Sequence, residues 1–296
     1  MTGEKKIWHW IVLATLSLVW GTSYILMKRG LESFSTYQIG SLRIFITFLC
    51  LLPVAIRNLS KLNKNNILSL LTIGMMGNAI PAFLFPMAQT HISSSLAGML
   101  NTLSPVFTLV IGIIIYKRKA IRSQIAGVIL GLIGAAGLLY NGSLTFNFYG
   151  LFVVLATIFY GVSANEVSRV KGLNGLQITA LSFFIVSPVA IIFLIFSDFS
   201  AAAQTDNMLR NLGCIFLLAI FGSAIGLALF YLLIRDTSPI FAATVTYLIP
   251  IVATMWGISD NERISFSMIV SAFFILGGVF SISRPDLLRK IRLMIK

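Results

Sequence analysis

Apolar segments of about 20 residues recur along the whole chain, each long enough to cross roughly 30 Å of hydrocarbon as a helix. Ten can be drawn: Trp8–Met27, Tyr37–Ile56, Ile67–Ala88, Ser94–Tyr116 and Gln124–Tyr140, then Phe148–Val167, Leu176–Phe196, Leu212–Ile234, Ile240–Gly257 and Phe266–Ser283. In lipid every backbone N–H and C=O must be satisfied internally, which leaves helices or a closed barrel. A barrel would show alternating segments of about ten residues, and this chain does not. The linkers are all of ordinary loop length, and a mean hydropathy of +0.94 with 10% charged residues leaves no soluble domain. The fold class is an all-α membrane protein. The first segment follows Lys5 and Lys6 as a signal peptide would, but it lacks a small-residue cleavage site and is kept as a helix.

The stretch 77–105 occurs twice. Shifted by 145 positions, Gly77 meets Gly222, Ala79 meets Ala224 and Ile80 meets Ile225, while Leu84 and Phe85 meet Leu229 and Phe230. Ser93, Ala97, Leu103 and Pro105 meet Ser238, Ala242, Leu248 and Pro250, so nine of 29 positions agree without a gap. Shared leucines follow from composition; glycine, serine and proline in one register do not. The chain is an internal duplication, with repeats at 1–141 and 142–296.

Charge placement sets orientation. With the N-terminus inside, 17 basic residues face the cytoplasm: Lys5, Lys6, Arg57, Lys61, Lys64, Lys117, Arg118, Lys119, Arg122, Arg169, Lys171, Arg235, Arg284, Arg289, Lys290, Arg292 and Lys296. Only Lys28, Arg29, Arg210 and Arg263 face out. This positive-inside bias puts both termini in the cytoplasm and the chain in the cell's inner membrane. The net charge of +13 therefore serves topology, and no nucleic-acid partner is expected. Five spans per repeat is odd, so the second half enters the membrane upside down. Inverted repeats in transporters hold a solute site near the midplane and alternate access by rocking.

No catalytic constellation appears, and neither cofactor nor metal is expected. His9 and His91 have no ligand partners at useful spacing, and Cys50 and Cys214 lie in apolar spans. Arg43 is set within the second span, roughly 9 Å from its outer end at 1.5 Å per residue. Charge at that depth is by default functional, unless the side chain snorkels or bonds a carbonyl. Glu166 can reach Arg169 at i+3 and reads as a plain surface pair. The first, third, fourth, eighth and ninth spans hold no carboxylate at depth. That argues for a facilitator or weakly coupled carrier of a neutral or zwitterionic solute.

The remaining polar and aromatic candidates for a cavity wall are Trp20, Ser23, Tyr24, Asn78, Asn101 and Ser104 in the first half. In the second they are Tyr160, Ser163, Asn165, Tyr231, Thr246 and Tyr247. The shift of 145 pairs Asn78 with Ser223 and Asn101 with Thr246. Pro81, Pro105 and Pro250 are candidate kinks or hinges. Gly127, Gly131 and Gly134, and Gly277 with Gly278, suit close helix contact, internal or in a homodimer.

The chain resembles the drug/metabolite transporter superfamily, in its ten-helix EamA-type branch. Trp20-Gly21-Thr22-Ser23 is similar to the Trp-Gly signature of helix one, echoed by Tyr160-Gly161-Val162-Ser163 in helix six. Leu42-Arg43-Ile44-Phe45 resembles the start of helix two, and the Pro105 and Pro250 helices the fourth and ninth. Asn261-Glu262-Arg263-Ile264 before Leu276-Gly277-Gly278 resembles the approach to helix ten. The shift of 145 sets Lys117 opposite Glu262, a departure that reads as an acid of structural role. The glutamate of the small multidrug-resistance branch is missing from helix one. The resemblance implies a metabolite carrier, commonly an exporter of amino acids or related solutes. Its cavity is implied between helices one, three, four, six, eight and nine. The alternative is efflux of hydrophobic or cationic drugs, and a membrane enzyme or lipid handler is a distant third.

Overall fold

A computed structural model describes residues 7–140 and 147–283. Seven of the inner-side charges, Lys5, Lys6, Arg284, Arg289, Lys290, Arg292 and Lys296, lie outside the described residues. Ten helices are long and apolar enough to span a membrane: α1 Ile7–Leu31, α2 Thr36–Lys61, α3 Ile67–Gln89, α4 Ser94–Ile114, α5 Arg122–Tyr140, α6 Gly150–Val167, α7 Gly175–Ile195, α8 Met208–Asp236, α9 Pro239–Ser259 and α10 Phe266–Ser283.

The duplication extends to the irregularities of these helices. α3 loosens to a π-helix over Ile73–Ala79 and α8 does so over Leu218–Ile225, 145 residues on. In α3 the distortion runs into Pro81, which has no N–H for the preceding turn. In α8 Gly222 lies within it and Gly226 follows it, and the indole of Trp20 donates to the Gly222 carbonyl at 2.8 Å. α4 stops at Asn101 and restarts at Ser104 with Pro105 in its first turn. α9 passes through a 3-10 turn, Thr244–Tyr247, and restarts at Ile249 with Pro250 in its first turn.

The serines and glycines shared by the repeats have mechanical reasons. Ser93 and Ser238 are N-caps, whose hydroxyls accept from Leu96 N and Phe241 N. Gly77 and Gly222 let α6 and α1 approach, since a Cβ there would run into Ser163 Oγ and Ser23 Oγ. Gly161 and Gly21 repeat the device, the first against the backbone of Phe107 and the second against Val252.

α5 and α10 stand beside the cavity and pack backbone to backbone. A Cβ on Gly127 would lie 2.5 Å from the Gly278 carbonyl, and one on Gly134 would lie 2.6 Å from the Ser271 carbonyl. Higher numbers on α5 meet lower numbers on α10, so the two equivalent helices run antiparallel, as inverted repeats require. The Gly-x-x-x-Gly face is therefore consumed inside the molecule.

Candidate functional site

A cavity of about 960 Å³, counted out to its mouth, lies among the broken helices. Eleven of the thirteen candidate wall residues meet in it: Trp20, Ser23, Tyr24, Arg43, Asn78, Asn101, Ser104, Tyr160, Ser163, Tyr231 and Thr246. α2 and α7 contribute as well, through Arg43, Ile44 and Phe183, so the wall draws on eight helices rather than the six the resemblance implies.

Two candidates are elsewhere. Asn165 is fully buried behind the wall, where its amide donates to the carbonyls of Thr108 and Gly161, both at 2.8 Å, and ties α6 to α4. Tyr247, which follows the wall residues Val245 and Thr246 in the 3-10 turn of α9, is not part of the wall. Glu166 also departs from expectation. Its carboxylate is mostly buried and accepts from Ser69 Oγ at 2.6 Å and Tyr116 OH at 2.5 Å, while Arg169 stands off at 3.7 Å. It joins α3 and the end of α4 to α6 and is no surface pair. Burial first, and the bond to Glu166 second, push the Tyr116 phenol above its ordinary range.

The polar wall is largely self-satisfied. Tyr231 OH donates to Asn78 Oδ1 at 3.2 Å, and Asn78 Nδ2 donates to Ser182 Oγ at 3.1 Å. Ser104 and Thr108 bond back to carbonyls within α4, and Thr246 to Ala243 O. Arg43 Nε donates to Ser223 Oγ at 2.8 Å. Aromatic rings complete the wall: Tyr24 against Phe85 and Phe85 against Tyr160, each at 5.9 Å, and Trp20 against Phe230 at 5.1 Å. Of the wall residues not named as candidates, Met27 and Thr108 carried no individual signal in the sequence. Gly77, Phe85 and Phe230 were marked only as identical repeat positions, and Ser223 as the repeat partner of Asn78. Among the described residues, no group of three His, Cys, Asp or Glu side chains could share a metal ion.

Above the cavity, on the side assigned to the exterior, charge ties three helices together. Lys28 of α1 donates to Glu262 at 2.9 Å and pairs with Asp260 at 2.6 Å, and Arg29 pairs with Asp260. Glu262 also accepts from the Ser94 and Ser95 amides at 2.9 and 3.0 Å and from Ser95 Oγ at 2.7 Å, at the N-terminus of α4. Just inside this clamp α4 meets α9, where a Cβ on Gly98 would lie 2.5 Å from that of Ala253. The repeat equivalents of those two residues, Ala243 and Thr108, instead face the cavity.

The EamA-like transporter family matches the chain twice, over residues 7–140 and 147–284. The uncharacterized inner membrane transporter YedA of Escherichia coli K12 is 24% identical over 270 residues, covering 88% of this chain and 87% of that one. An uncharacterized transporter of Archaeoglobus fulgidus is 22% identical over 281 residues, covering 93% and 98%. A solved crystal structure shares the fold at a TM-score of 0.66 and 14% identity, covering 97% of this chain and 99% of its own. With both halves matched separately and ten spans in place, the chain belongs to the EamA-like transporter family and is a multi-pass membrane transporter.

Proposed function

We propose that the protein exports amino acids or similar small metabolites across the cytoplasmic membrane by alternating access, with both termini in the cytoplasm. One observation carries the alternation. The α4–α9 crossing is shut at its outer end, at Gly98 and Ala253, while its repeat-equivalent inner end, at Thr108 and Ala243, lines the cavity. Exchanging the two ends turns an inward-facing carrier into an outward-facing one. The restarts at Pro105 and Pro250 are the hinges of that exchange, with Pro81 at the π-segment of α3. The halves 1–141 and 142–296 are the moving units. Among the described residues no acidic side chain lines the cavity, which leaves no carboxylate there for a proton relay and supports a facilitator or weakly coupled carrier. The aromatic wall favours efflux of hydrophobic drugs as a second reading, but a cation in the wall opposes the cationic ones.

Counterflow in proteoliposomes loaded with a mixed amino-acid pool tests the substrate. Accumulation of one labelled amino acid is the expected result; none, from folded and inserted protein, would redirect the search to other metabolites. A Thr108→Cys/Ala243→Cys pair, built on Cys50→Ser and Cys214→Ser, tests the alternation. Its cross-link is expected to form slowly and to stop flux. A rapid cross-link that leaves flux intact would sink the alternating model.

A further inference from the structure

We propose that Arg43 is the docking point for a carboxylate on the transported solute, an inference that rests on the carrier reading above. It follows from a place in the cavity wall where the internal symmetry is broken by charge. α2 and α7 begin with the same capping box, Ser35 with Gln38 and Asn174 with Gln177, 139 positions apart. That register sets Arg43 opposite Ser182. Each reaches the π-segment of a neighbouring helix: Arg43 donates to Ser223 on α8, and Ser182 accepts from Asn78 on α3. Ser223 and Asn78 are themselves repeat equivalents. The same joint is thus built twice, once from neutral groups and once with a guanidinium. The neutral version shows that the joint needs no charge to hold.

The charge must therefore be accounted for otherwise. A cation away from water is costly unless it is paired. Among the described residues no acid lines the cavity, and Arg43 forms no ion pair. Its single hydrogen bond to the protein uses Nε, so both terminal nitrogens of the planar fork are uncommitted. That fork matches the two oxygens of a carboxylate. Lone positive charge also repels cations, so the group gives specificity as well as affinity. A single guanidinium balances a monoanion; a phosphate dianion would leave negative charge uncompensated beside the rings of Tyr24 and Tyr160. The anion class that fits is a carboxylate, carried on an apolar body that the aromatic wall receives.

A matched set of ligands decides the matter on the full chain in detergent: 4-methylpentanoate (carboxylate only), leucine (both charges), isoamylamine (ammonium only) and isoamyl phosphate. The first two are expected to raise the thermal unfolding midpoint and isoamylamine to leave it unchanged. Arg43→Gln, whose amide can still bond Ser223, is expected to weaken the first two about tenfold or more, and Arg43→Lys to weaken them less. Stabilisation by isoamylamine equal to that by 4-methylpentanoate would overturn the proposal. So would unchanged carboxylate binding in Arg43→Gln, a preference for the phosphate, or no shift with any of the four. If Arg43→Gln does not fold, the selectivity of the unsubstituted protein still decides. Counterflow with the same labelled ligands separates the two levels. Accumulation of isoamylamine alone would leave the carrier standing and remove the carboxylate; accumulation of none of the four by a protein that binds the carboxylates would do the reverse.

Discussion

The turns that follow α4 and α9 share a backbone and differ in charge. Each contains a left-handed residue, Lys117 at φ 54° and Asn261 at φ 59°. In each, the next amide bonds back to a glycine carbonyl of the preceding helix: Arg118 N to Gly112 O at 2.9 Å, and Glu262 N to Gly257 O at 2.8 Å. The two glycines are 145 apart, so the geometry sets Arg118, not Lys117, opposite Glu262. The outer acid reaches the first amides of α4. An acid at the inner position would find Pro239 where Ser94 stands in the outer turn, and proline has no N–H to donate. Arg118 instead donates to Ser168 Oγ at 3.1 Å. A single scaffold thus carries a latch at one end and a solvated basic loop at the other. Under the alternating access proposed above, the difference would bias which end of the cavity is closed.

The largest expected effect comes from removing the latch. Glu262→Ala deletes one ion pair and three further hydrogen bonds of a mostly buried carboxylate, a loss of about 3 kcal/mol, or roughly a hundredfold in the open-to-closed ratio at the outer end. The readout is labelling of a Met27→Cys reporter, on the wall below the clamp, by an impermeant thiol reagent added outside. A rate within threefold of the parent would mean that the clamp does not gate.

Acidification is expected to act more weakly and late. The bond from Lys28 chiefly holds the Asp260 carboxyl below its ordinary range. Burial pushes Glu262 up, but the bonds from Lys28, Ser95 and Ser94 outweigh it and leave Glu262 depressed as well. A depressed carboxylate contributes fully above its ordinary pKa of about 4 and loses that contribution as pH falls through the lowered value. Reporter labelling, divided by that of a fully exposed cysteine control to remove the fall in thiolate with pH, should stay flat from pH 8 to pH 5 and rise only below about 4. A transition between 5 and 8 would assign the gate to other groups.

The smallest effect is expected at the inner turn. Arg118→Glu puts the acid where the backbone matches Glu262, yet lacks both the amide and the lysine that make the outer latch. Labelling of an Ala243→Cys reporter in inside-out vesicles should change less than about fivefold. A large fall would show that charge alone closes either end.

Most of the fold was legible because lipid leaves so few options. Ten apolar runs and one run of shared glycine, serine and proline specify ten helices in inverted halves. The site was legible only where a polar group stood in an apolar span. Apolar wall residues such as Met27, Phe183 and Phe230 are chemically like those facing lipid, so periodicity cannot mark them. Asn165 misled for the opposite reason, since a polar side chain in a span can satisfy two carbonyls and never see the cavity. Glu166 looked exposed because its i+3 partner was visible in sequence while Ser69 and Tyr116 were not. The π-segments, which rotate Asn78 and Ser223 together onto the wall, leave no mark that short-range reading can detect.

The antiparallel contact of α5 and α10 bears on ancestry. Gly127 touches Gly278 and Gly134 touches Ser271, so the midpoints of the crossing fall near Leu130 and Ile275, themselves 145 apart. A contact centred on equivalent residues is isologous, the kind formed by two copies of one polypeptide about a twofold axis. A free-standing five-helix ancestor with these glycines would recognise an upside-down copy of itself through that face. Fusion of the two genes would keep the joint while releasing each half to diverge. Arg43 opposite Ser182, and Glu262 opposite Arg118, are differences that a dimer of identical subunits could not have carried.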